Sequence, residues 1–100
     1  MKTVRVVGRF LHEDGSPVTG QIFFLPSRLW VNQGDTAYAT LTVSQELDNG
    51  RFDAELTPTH GHDDPEWTYT VLCPVGKWEV EVADVEHPVL LKDLPPSRFQ

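Results

Sequence analysis

The chain has one cysteine, Cys73, and one methionine. A single thiol cannot close an intramolecular disulfide, so a disulfide-stapled scaffold is excluded and the fold must rest on its own core. Basic residues are also sparse: eight Lys and Arg, scattered singly, against fifteen Asp and Glu, for a net charge of −7. A surface of that sign with no basic cluster points away from phosphate backbones and anionic lipid, so neither nucleic acid nor a membrane is expected as a partner. No apolar run reaches the roughly 18 residues of a spanning helix, and Met1-Lys2-Thr3 leads straight into strand-like sequence without the apolar block of a secretory signal; synthesis in the cytoplasm is expected. No helical period, Gly-x-Ser-x-Gly elbow, phosphate loop or dinucleotide fingerprint occurs either. Neither enzymatic activity nor a cofactor is therefore expected.

What the chain does have is bulk for one core. Apolar residues make up 39% of its 100 residues, with three Trp, five Phe and two Tyr, and a chain of this length buries about two-thirds of its unfolded surface in a single domain. Short β-branched and aromatic runs alternate with Gly, Pro, Asn and Asp. Val4, Val6, Gly8 and Phe10 share one face of a first strand. Glu13-Asp14-Gly15-Ser16-Pro17 turns the chain into a second strand from Gly20 to Leu25, read as its hairpin partner and stopped by Pro26. Residues 27–36 read as a loop with a short strand or turn, and Tyr38 to Val43 as a strand. Asp48-Asn49-Gly50 is a tight reversal before Arg51 to Leu56, where Phe52, Ala54 and Leu56 face inward. Trp67 to Leu72 and Lys77 to Val82 read as a second hairpin, with Trp67, Tyr69, Val71, Trp78, Val80 and Val82 inward, and Pro88 to Leu91 as a short edge strand. The expected fold is an all-β, immunoglobulin-like or transthyretin-like antiparallel sandwich of about seven strands over residues 1–95, with an extended tail at 96–100 stiffened by Pro95-Pro96.

Few residues suggest chemistry. His60-Gly61-His62-Asp63-Asp64 has metal-ligand residue types, but Pro58, Gly61 and Pro65 place it in a loop, and the other histidines, His12 and His87, are distant; a solvated loop is the expectation, and no metal site. Asp14, Asp48, Asp63 and Asp64 lack the spacing of a calcium loop. Glu79 and Glu81 alternate outward as a solvated face, and Cys73, beside Pro74 at a strand end, reads as a small packed residue without a neighbouring base. Trp30 is different, because it sits with Leu29 and Val31 in a segment without clean alternation, where an aromatic can serve as a contact for another chain or a glycan.

The run Val7-Gly8-Arg9-Phe10-Leu11-His12-Glu13-Asp14-Gly15-Ser16-Pro17-Val18-Thr19-Gly20-Gln21-Ile22-Phe23-Phe24, followed by Asp48-Asn49-Gly50-Arg51-Phe52, resembles the carboxypeptidase regulatory-like, transthyretin-like sandwich domains. With Glu66-Trp67-Thr68-Tyr69-Thr70-Val71 and Lys92-Asp93-Leu94-Pro95, it is similar to a small sandwich module of virion proteins of phages that infect actinobacteria, often at the start of tail or fibre proteins. The turn motifs are individually common, and the resemblance lies in their order from about Thr3 to Pro95. It carries over no catalytic residues and implies a non-enzymatic capsid decoration or tail-accessory subunit. The expected partners are other virion proteins, major capsid or tail, or a further copy of the chain, with a host-surface glycan as the alternative. The expected contact residues are Arg28, Leu29, Trp30, Val31, Leu94, Pro95 and Phe99.

Overall fold

The computed structural model describes residues 3–59 and 67–94. Among these residues, nine strands and one short 3-10 segment follow in order: β1 (Val4–Arg9), β2 (Gln21–Pro26), β3 (Trp30–Gln33), β4 (Thr36–Ala39), β5 (Val43–Glu46), β6 (Arg51–Leu56), β7 (Tyr69–Cys73), β8 (Gly76–Val80), β9 (Val89–Leu90) and the 3-10 turn Leu91–Asp93. They form one sheet in the order β6-β1-β9, a second in the order β5-β2-β7-β8, and a separate ribbon of β3 and β4. The protein is an all-β sandwich. All pairings are antiparallel except β1 with β9, a parallel contact at Val6 and Val7.

Period-two alternation sets the core. Val4 and Val6 on β1 and Phe52, Ala54 and Leu56 on β6 bury against Ile22 and Phe24 on β2, Tyr69 and Val71 on β7, and Val80 on β8. Phe24 and Phe52 meet across the gap at 5.8 Å between ring centres. Gly8 occupies an inward position because Phe52 takes up the space: a Cβ there would lie 2.6 Å from its ring. Trp67 is buried beside Tyr69, as its phase requires, whereas Trp78 is only half-buried and meets Phe10 edge to face at 6.4 Å. Residues 57–59 are less loop-like than their polarity suggests. Thr59 is buried, donates its N–H to the Val82 carbonyl at 2.8 Å and accepts the Val82 N–H on Oγ1 at 2.9 Å, tying the exit of β6 to the segment after β8.

Two expectations about neighbours are corrected. β1 and β2 are not a hairpin but strands of opposite sheets. The chain reverses through a bridge between Leu11 and Pro17, then crosses the core, so the inward faces of the two strands look at each other. Likewise, the run Tyr38 to Val43 is not one strand. β4 ends at Ala39 because it belongs to the ribbon, and β5 begins at Val43 because it pairs with β2. The expected β7–β8 hairpin forms, with Tyr69 opposite Val80 and Cys73 opposite Gly76.

Candidate functional site

The ribbon leaves the second sheet where Pro26 ends β2. Ser27 holds its base by donating its N–H to the Thr68 carbonyl at 2.9 Å, while the Thr68 N–H donates to Ser27 Oγ at 3.1 Å. At the same level Thr40 donates its N–H to the Leu29 carbonyl at 3.1 Å and its hydroxyl to the Arg28 carbonyl, and the Arg28 Nε donates to the Trp30 carbonyl at 3.1 Å. These bonds fix where the ribbon departs, and its register then decides which side chains face outward.

Directly opposed residues of an antiparallel pair share a face. Val31 stands opposite Tyr38, and Trp30 opposite Ala39. Val31 is 1% exposed, so its face is turned to the body of the protein, and Trp30 looks the other way at 47% exposure. Its neighbours on that outer face include Ala37 and Ala39, too small to cover the indole. Leu29 beside it is 79% exposed and Leu41, just past the ribbon, is 73% exposed. Arg28, Leu29 and Trp30 line one shallow depression of about 170 Å³. Aliphatic and aromatic side chains of this size, standing together in water, form a surface that gains free energy when a partner covers it, about 1.5–3 kcal/mol for each side chain fully buried.

Of the seven expected contact residues, the structure therefore brings together Arg28, Leu29 and Trp30. Val31 is corrected to a core residue, because the ribbon register turns it inward. Leu94 is corrected as well: at 8% exposure it packs into the core next to Leu91, held by its N–H to the Leu91 carbonyl at 3.1 Å. Pro95 and Phe99, the tail at 96–100, and His60, His62, Asp63 and Asp64 lie outside the described residues. Leu41 and Tyr38 belong to the exposed apolar set but carried no signal in the sequence beyond an alternation that reads as an ordinary strand.

Other features have a structural explanation. On the outer face of the first sheet, Arg5 donates from Nε to both Asp53 carboxylate oxygens at 2.9 Å, and this hydrogen bond holds the Asp53 carboxyl below the usual range. Both groups are exposed, so solvent screens the pair and it contributes little to stability. The depression around it, about 660 Å³, is lined by Arg5, Arg9 and Arg51 but also by Glu46, Asp48 and Asp53, three charges of each sign, and so favours neither sign of ligand. Asp14 accepts from the Ser16 hydroxyl at 2.7 Å and the Ser16 N–H at 3.0 Å, which lowers its pKa and shapes the turn. Glu79 accepts from the Thr68 hydroxyl at 3.0 Å, a half-buried contact rather than a solvated face. Cys73 is a half-buried free thiol packed against the core. Among the described residues no group of three or more His, Cys, Asp or Glu is placed to hold a metal ion. Comparison with known proteins finds no protein-family model and no curated protein that matches this chain.

Proposed function

We propose that the chain is a non-enzymatic bacteriophage virion structural protein, a small capsid decoration or tail-accessory subunit that docks on other virion proteins through the outer face of the β3–β4 ribbon. The observation that carries this reading is the exposed trio Leu29, Trp30 and Leu41, on the ribbon and beside its hydrogen-bonded base. A preordered apolar surface loses little entropy on binding, and a Trp at the centre of such a patch is the usual anchor of a protein interface. The phage assignment comes from the order of turn motifs that resembles the actinobacteriophage sandwich modules. On that reading the protein's place is the virion, where repeated copies raise avidity beyond what one small patch supplies.

A glycan-binding reading has less support. A sugar platform needs aromatics side by side, and the register puts Trp30 and Tyr38 on opposite faces of the ribbon. The test is Trp30→Ala in the phage that encodes the chain. Unfolding should stay within about 0.5 kcal/mol of wild type, since an exposed residue is removed, while affinity for the particle should fall about 30-fold, the loss of an anchor worth roughly 2 kcal/mol. Purified particles that carry the variant at wild-type occupancy would refute ribbon docking, and binding of the wild-type chain to host-wall glycans that is lost in the variant would favour the glycan reading instead.

A further inference from the structure

On one side of the sandwich the two sheets part. β9 accompanies β1 only at Val6 and Val7 before the chain turns into Leu91–Asp93, so β1 continues through Gly8 and Arg9 with β6 on one flank and, among the described residues, no strand on the other. β8 is the last strand of the second sheet. Between these edges lies a cleft of about 500 Å³ whose wall is Phe10, Trp78, Leu90, Leu91 and Leu94. It shares no residue with the ribbon.

Among the described residues, the ionisable side chains that line the cleft are both cations, Arg9 and Lys92, in a chain whose net charge is −7. Among the described residues Arg9 has no ion pair. Lys92 approaches only Asp93, at 3.4 Å and with both side chains well exposed, a contact that contributes little. The wall offers an indole and a phenyl ring whose planes cross at 77°, and an incompletely covered Leu90, 42% exposed. The volume is within the usual range for small-molecule sites, roughly 300–1,000 Å³, which are mostly apolar with a few polar groups that fix orientation. We propose that this cleft binds a small apolar carboxylic acid, its ring or branched body against Trp78, Phe10 and Leu90 and its carboxylate on the Arg9 guanidinium at the rim. A guanidinium takes a carboxylate through two parallel hydrogen bonds, and a partly enclosed apolar wall strengthens that contact by excluding water.

The test uses the full chain and two probes of one shape, naphthoate and its neutral amide, naphthamide, followed by calorimetry and by the indole N–H resonance of Trp78. Naphthoate should shift that resonance saturably and bind at least about tenfold more tightly than naphthamide, as expected for one added charge-assisted contact. The double variant Arg9→Gln/Lys92→Gln should bind both probes alike. Leu90→Glu, which puts a carboxylate into the lining at an exposed position, should abolish naphthoate binding without changing the unfolding midpoint. Equal affinity for acid and amide in the wild type, binding that survives Leu90→Glu, or no perturbation at Trp78 would each overturn the proposal. So would sedimentation showing that a second copy of the chain already covers Trp78.

Discussion

Tyr69 combines a buried ring with a polar tip that has to be satisfied. Its hydroxyl oxygen accepts the Thr57 N–H at 3.0 Å, joining β7 to the end of β6 beneath the core. Burial pushes its pKa above the ordinary 10.0, with the Thr57 hydrogen bonds opposing in part. An acid whose folded pKa is raised keeps its full contribution to stability below the unfolded value, and loses it as pH climbs past that value, because the unfolded chain ionises first. Tyr69→Phe should therefore cost about 1 kcal/mol at neutral pH, the net value of one hydrogen bond. Above pH 10.0 it should also flatten the alkaline loss of stability. Urea titrations of both proteins at neutral and alkaline pH check this, and parallel alkaline slopes would show that the Tyr69 hydroxyl does not control that limb. Trp67 is the contrasting residue: its indole N–H is buried with no acceptor among the described residues, while its ring packs within the core, 5.1 Å from the Tyr69 ring.

At the scale of elements, the reversal before β6 is the best-defined piece of local chemistry. Asp48 and Arg51 exchange N–H···O bonds of 2.9 and 3.0 Å, with φ of +56° at Asn49 and +81° at Gly50, the two left-handed residues of a tight reversal that joins β5 to β6. Gly50 is also pressed against the Phe10 carbonyl, which a Cβ would strike, whereas Gly15, at φ +92°, has open space around it. Gly50→Ala should cost about 2–5 kcal/mol, backbone strain plus a clash with main chain, and Gly15→Ala only about 1 kcal/mol. Thermal unfolding of the two variants compares them, and equal losses would mean that the turn is not held against Phe10. This turn and β6 are legible from sequence because the Asn-Gly signal and the inward phase of Phe52, Ala54 and Leu56 are local properties of the chain. Pairing is not local. The same inward phase suits β1 and β2 as hairpin partners or as strands facing each other across a core, and only the crossing after Val18 distinguishes the two. In the candidate site, the poor alternation of Arg28, Leu29 and Trp30 between Pro26 and Asn32 was readable, but the burial of Val31 depended on how the ribbon lies against the body.

For the molecule as a whole, the division of labour follows from where apolar side chains are placed. Two sheets bury one continuous core and need no disulfide, while the β3–β4 ribbon carries Trp30 on its outer face. The excess of acidic residues keeps such a molecule dispersed despite an apolar patch. On the proposed reading, that patch rather than charge selects the partner. The most direct measurement is photo-crosslinking from position 30 in assembled particles, with a photoreactive aromatic replacing Trp30 and the same probe at Lys77, in the β7–β8 hairpin away from the ribbon, as the control. Docking through the ribbon predicts that position 30 links to one virion protein and Lys77 does not. Links from Lys77 alone, or none from position 30 in particles that contain the protein, would contradict it.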